Sequence, residues 1–179
     1  MSNIVKWSLD PSHSELQFKV KHLVISTVTG SFKNFDASLQ SNGEDFSGAS
    51  VSLQADIASI DTGNSQRDEH LRSADFFDAS NFPTMTFEAS SLRKIDTENY
   101  ELSGNLSIRG VSKPVQLNAI YGGAMKDPWG NDRVGFEVSG KINRKDFGLT
   151  WSAVTETGGL VVSDEVKIIA NVEFIKGKE

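Results

Sequence analysis

Cysteine is absent from this chain, histidine occurs three times, and positive charge is outnumbered. Without cysteine there is no disulfide, no thiolate nucleophile and no zinc site built on sulfur. Eighteen Lys and Arg against 24 Asp and Glu give a formal charge of −6. That sign argues against a nucleic-acid partner and, by the same reasoning, against a membrane surface, since both present phosphates to a basic face. The histidines, His13, His22 and His70, show neither H-x-H nor H-x-x-x-H spacing. A metal site combining them with Asp68 or Asp75 would rest on tertiary proximity alone, so no metal is expected. G-x-G-x-x-G, P-loop and G-x-S-x-G patterns are also missing, and Gly158-Gly159 reads as a turn, so neither a cofactor nor a serine nucleophile is expected. No apolar run approaches the roughly 18 residues of a spanning helix. The opening M-S-N-I-V-K-W-S-L-D has no charged start leading into an apolar stretch. The expectation is therefore a cytoplasmic protein, or a periplasmic one if the chain is a processed form. A length of 179 residues suits one domain, 1–179.

What is present is alternation. Leu16, Phe18 and Val20 interleave with polar residues, as do Phe35, Ala37 and Leu39 up to the turn signal Asn42-Gly43, and then Val51, Leu53, Ala55 and Ile57. Met85, Phe87 and Ala89 resume the pattern after a break. Tyr100, Leu102, Leu106 and Ile108 follow, with Gly104 between them as a candidate bend. Arg109-Gly110 marks a turn before Val115, Leu117, Ala119 and Tyr121. Val134, Phe136 and Val138 form the next strand, and Val166, Ile168, Ala170, Val172 and Phe174 the last. Eight to ten consecutive strands, each with one dry face, predict an all-β, antiparallel up-and-down barrel; a two-sheet sandwich fits the same pattern.

The break runs from Asp61 to Phe87. Its charges gather at Arg67, Asp68, Glu69, His70 and Arg72, and its aromatics at Phe76, Phe77, Phe82 and Phe87. Asn64 or Ser65 can cap a short helix, and Asn81-Phe82-Pro83 ends it, so a helix and loop are expected around residues 64–78. Arg67, Asp68, His70 and Arg72 could act as an acid–base cluster, or simply pair across a capping helix. Eleven Phe against two Tyr favour an apolar ligand over a polar ring system, or a core that fills itself.

Five segments together resemble the YceI family of lipid-binding proteins. They are W-S-L-D-P-S-H-S-E-L-Q-F-K-V-K-H-L from Trp7, I-D-T-G-N-S-Q-R-D-E-H-L-R-S-A-D-F-F-D from Ile60, F-P-T-M-T-F from Phe82, G-N-L-S-I-R-G-V-S-K-P-V from Gly104, and N-R-K-D-F-G-L-T-W from Asn143. The resemblance implies a lipocalin-like barrel holding a long-chain amphiphile such as a polyisoprenoid, an isoprenoid quinone or a fatty amide. It also implies no established enzymatic activity and a possible homodimer. His70, Asn143, Arg144 and Phe147 match family positions. With strand parity, it places Phe18, Val20, Leu53, Phe76, Phe87, Leu106, Leu117, Phe136, Phe147 and Ile168 along the tail channel, with Phe32 and Trp151 as weaker candidates. It offers His22, Arg67 and His70 for the head group. Sequestration or transport of such a lipid is the expected function. The alternatives are an enzyme using Asp68 and His70 on such a lipid, and a stress-related structural protein with a filled core.

Overall fold

The computed structural model describes residues 3–152 and 162–177, with no side-chain description at Ser90; the turn read at Gly158-Gly159 lies outside these residues. The strands are β1 (Ile4–Leu9), β2 (Glu15–His22), β3 (Ser26–Phe32), β4 (Phe35–Asn42), β5 (Asp45–Asp56) and β6 (Ile60–Asp61). After a helix, α1 (Ser65–Arg72), come β7 (Thr84–Lys94), β8 (Asn99–Ile108), β9 (Val111–Lys126), β10 (Asp132–Asn143) and β11 (Val162–Lys176). All pairings are antiparallel. The order β1-β4-β5-β7-β8-β9-β10-β11 closes through β1 against β11, giving an eight-stranded barrel.

The other three strands heighten one side of the wall. β2 continues β1 beyond a 3₁₀ turn at Pro11–His13, and β6 continues β5 beyond another at Ile57–Ser59. β3 leads into β4 across Lys33-Asn34. β11 therefore meets β1 over Phe174–Lys176 and β2 over Val162–Asn171, while β3 pairs with both β2 and β6. In effect eight long strands run up and down, three of them broken. β1, β3 and β6 are not among the strands expected from the sequence: β1 is short and runs into Pro11, β3 (S-T-V-T-G-S-F) is mostly polar, and two residues of β6 carry no period.

Alternation sets the core. Leu39, Ala55, Phe87, Leu106, Ala119 and Val134 are all buried, while their chain neighbours mostly face water. The bend expected near Gly104 appears on the partner strand. Register slips between Glu88 and Ser91 on β7, opposite Gly104 on β8. A Cβ at Gly104 would collide with the Glu88 carbonyl, the Phe87 ring and Ala89, so the close approach needs glycine. The slip moves the buried positions from Phe87 and Ala89 to Leu92.

The two ends differ. One carries α1, the β2–β3 and β8–β9 turns and the segment after β10. The other carries the β4–β5, β7–β8 and β9–β10 turns. At this second end Phe46 stacks against Trp7, Phe136 and Tyr121 with ring centroids 5.5, 5.4 and 5.8 Å apart. Tyr100 meets Phe136 edge-on at 6.2 Å. Trp7 Nε1 donates to Ser41 Oγ at 2.9 Å, which donates to the Gly43 carbonyl at 2.7 Å, so the plug's buried polar atoms are satisfied.

Candidate functional site

Inward-facing side chains do not fill the barrel. They leave a cavity of about 190 Å³. Of the 32 described residues lining it, Gln17 and Arg144 alone are polar. Its floor is the aromatic plug, through Phe136. Toward the helix end its wall is half-buried, at Phe18, Val20, Leu71, Phe77, Val162 and Val166. Gly30 on β3 makes room for the Phe18 ring, which a Cβ there would strike.

Nine of the ten side chains placed in the channel from sequence stand in this wall: Phe18, Val20, Leu53, Phe76, Phe87, Leu106, Leu117, Phe136 and Ile168. Phe147 does not. It is fully buried in the 3₁₀ turn Arg144–Phe147 outside the lining, where strand parity has no meaning. Phe32 lines the cavity, whereas Trp151 packs against His70 at 4.9 Å and Phe76 at 5.3 Å.

The excursion is anchored from below. Asn64 caps α1 by accepting from Arg67 N at 3.0 Å. Asp68, buried, accepts from Thr62 N at 2.8 Å and Thr62 Oγ1 at 2.6 Å. Arg67 donates through Nε and Nη2 to Thr62 Oγ1 and the Thr62 carbonyl, both at 2.8 Å. From the β8–β9 turn, Arg109 Nη1 donates to the Phe76 carbonyl at 2.8 Å and to that of Gly148 at 3.3 Å, tying both caps together.

The three head-group candidates are not brought together. Arg67 is exposed and bound to Thr62. His22 is exposed at the end of β2. His70 Nε2 lies 2.9 Å from Asp75 Oδ2, its ring edge-on to Phe76 and Trp151. None of them lines the cavity. Asp68 and His70 likewise hold separate partners, Thr62 and Asp75, and neither carboxyl nor imidazole reaches the interior.

Arg144 is the lining residue that strand reasoning could not assign a role. Only 3% exposed, it donates to the carbonyls of Ser163, Leu149 and Trp151 at 2.9, 2.6 and 2.7 Å, and to that of Val162 at 3.4 Å. It thereby joins the segment after β10 to the start of β11. Burial pulls its guanidinium below the usual value, and Asp164, 3.7 Å away, opposes this. The N-R-K-D-F motif was the signal that could have marked it. Since its donors are committed to carbonyls, the described lining offers no free charge.

Outside the barrel, Asp10, His13 and Glu173 lie close enough to hold a cation. Arg133 already occupies the place, with Nη1 2.7 Å from Asp10 Oδ2 and 3.5 Å from Glu173 Oε2, and Nε 2.7 Å from Asp127 Oδ2. Three acids around one guanidinium form a charge lock, so the carboxylates a cation would use are already paired with a positive charge.

The family described as YceI-like domain matches residues 7–174. A UPF0312 protein of Pectobacterium carotovorum is 38% identical over 173 residues, 97% of this chain and 86% of that protein. Among solved structures, the Campylobacter jejuni YCEI protein aligns with a TM-score of 0.74 at 39% identity, over 89% of this chain and 90% of the other. A polyisoprenoid binding domain from Saccharophagus degradans shares the fold, with a TM-score of 0.67 at 17% identity, over 99% and 100% of the two chains.

Proposed function

This chain belongs to the YceI family, and on that footing we propose that it binds a long-chain apolar amphiphile inside its barrel and sequesters or carries it. Polyisoprenoids, isoprenoid quinones and fatty amides are the classes that fit. The observation carrying this reading is the cavity lining, hydrocarbon among the described residues except for Gln17 and an Arg144 whose donors are already engaged. Such a wall rewards a tail and gives a polar group nothing to bond. A buried tail of about ten carbons contributes about 8 kcal/mol, enough to offset much of the cost of association. A volume of about 190 Å³ exceeds the ~150 Å³ that takes benzene and falls short of the ~300 Å³ at which ordinary ligand pockets begin. A longer chain therefore needs the half-buried rings at the helix end to turn, with its head group left outside. The polyisoprenoid-binding description of the Saccharophagus degradans domain points to the same ligand class.

A binding protein is favoured over an enzyme, because Asp68 and His70 face different partners and not the cavity. Extraction of the purified protein into organic solvent, followed by mass spectrometry, tests the reading. A stoichiometric lipid is expected in the native protein and its loss in Leu53→Trp, which fills the lumen. Repeated recovery of no lipid, together with failure to take up an added polyisoprenoid alcohol, would sink it.

A further inference from the structure

We propose that the β2–β3 turn docks the protein on an anionic lipid bilayer, with Leu23, Val24 and Ile25 entering the interface and the helix end of the cavity facing the lipid. The turn has two central residues, closed by Ile25 N donating to the His22 carbonyl at 3.2 Å. Both are left-handed, Leu23 at φ +53° and Val24 at φ +64°. Such a hairpin turn favours Asn-Gly, and a β-branched residue there is an outlier. The chain instead holds bulky hydrocarbon where local backbone chemistry opposes it. Leu23, Val24 and Ile25 are 38%, 75% and 84% exposed, three consecutive apolar side chains at the tip of a projecting hairpin. Folding stability gains nothing from this arrangement, whereas an apolar phase outside the protein would.

Charge and position select the phase. From Leu16 to Phe35 there is no acidic residue, while Lys19, Lys21, His22 and Lys33 are all exposed. The nearest acids on the adjoining β11 are engaged: Asp164 lies 3.3 Å from Lys145 Nζ, and Glu165 lies 3.9 Å from Lys141 Nζ. From Leu16 to Lys33 every charge is therefore positive, a local sign opposite to the net −6. At physiological salt charges beyond about 8 Å are screened, so this local sign governs contact at the tip, with Asp61, Glu69 and Asp75 of the same end as the opposing charges. The opposite end supplies a contrast. Its exposed apolar side chains, Ile4, Ile95, Met125 and Trp129, lie on separate strands and turns and form no consecutive run. The basic tip is also continuous with the lumen. Val20 lines the cavity two residues before His22, and Val162, the register partner of His22, lines it too. A bilayer at this tip would lie beside the half-buried wall.

Co-sedimentation of the full chain with vesicles tests the proposal, using phosphatidylcholine alone and an equal mixture with phosphatidylglycerol. Binding to the mixed vesicles that weakens with salt is expected. The variant Leu23→Asn/Val24→Gly/Ile25→Ser carries the favoured turn, so it should keep or raise the thermal midpoint while losing at least about tenfold in vesicle binding. Lys19→Gln/Lys21→Gln should remove the preference for phosphatidylglycerol, and Trp129→Ser should change nothing. Wild-type binding by the triple variant overturns the proposal. So does a tip substitution that alters only the oligomeric state in sedimentation velocity, which makes a second copy the occupant. Cargo content is a separate readout. An empty wild-type barrel that still binds mixed vesicles unseats the carrier reading and supports the docking surface.

Discussion

The two ends of the barrel solve opposite problems with similar side chains. At the far end Trp7, Phe46, Tyr100, Tyr121 and Phe136 pack ring against ring into the cavity floor, and Arg133 clamps the outside wall through Asp10 and Asp127. At the helix end Phe18, Phe32 and Phe77 also touch, at 5.7 and 5.9 Å, but they border the cavity and two of them stay half-buried. Aromatic content therefore does not decide which end opens. What decides is whether the rings meet one another from all sides or face a lumen, and whether the strands there pair continuously or give way to inserted segments. At the far end the strands reach their turns paired. At the helix end β6 leaves β7, and α1 with its loop fills the interval.

Removing a ring at each end gives the largest test of this contrast. Phe46→Ala deletes the ring that joins Trp7, Tyr121 and Phe136 in the plug, away from the cavity lining, and should cost about 3–5 kcal/mol in chemical denaturation. Phe18→Ala, facing an existing void, should cost about 1 kcal/mol while changing the lipid recovered by extraction. Equal losses of stability would mean that the helix end is as solidly packed as the plug.

The contrast also explains what the sequence made legible. Where a strand has a period of two, one exposed residue fixes the facing of all the rest, and the eight channel positions assigned on strands all lie in the cavity wall; Phe76, in the loop after α1, joins them without help from a period. Asn64 before a charged run marked the helix, and the structure uses its side chain as the cap. Legibility ends where the chain leaves its strands. Phe147 sits in a 3₁₀ turn, and Arg67, His70 and Asp68 point to partners set by loop geometry, not by spacing. The β2–β3 turn was silent for a different reason. The connecting L-V-I carries no turn residue, so its tight reversal follows only from the strands that pair on either side.

A second test concerns the strap across the helix end. Arg144→Met keeps the length of the side chain but strips the donors from the carbonyls of Leu149, Trp151 and Ser163. A loss of about 2–4 kcal/mol is expected, since charged hydrogen bonds are removed and buried acceptors are left bare. Hydrogen exchange should rise first along the residues just after β10 and at the start of β11, leaving the plug protected. Uniform exchange through the barrel would show that the two ends unfold as one.

Acid should reverse the order of weakness. Hydrogen bonding from Arg133 holds the Asp10 carboxyl well below the ordinary carboxylate range and brings that of Asp127 down to about 2. A depressed carboxylate stabilises the fold above the unfolded value of about 3.9 and loses that contribution as pH falls through the folded value. The charge lock should therefore weaken between about pH 4 and pH 2. Asp127→Asn should flatten this part of the stability–pH curve measured by denaturation. An unchanged acid limb would mean that the ion pairs are not formed in solution.

The smallest effect belongs to the helix itself. Asn64→Ala removes the side-chain acceptor for Arg67 N and should cost about 1 kcal/mol. If α1 is only a cap, that loss appears in stability and the bound lipid is unaffected. If α1 holds the cavity wall in place, Leu71, Phe76 and Phe77 shift with the frayed first turn, and lipid leaves the barrel faster although the lumen is untouched. The second outcome is favoured by the Arg109 contact, which fixes the Phe76 carbonyl at the far side of the same excursion, so that α1 and its loop are held at both ends. Release of a fluorescent lipid analogue from the wild type and Asn64→Ala, compared at temperatures where both are folded, separates the two.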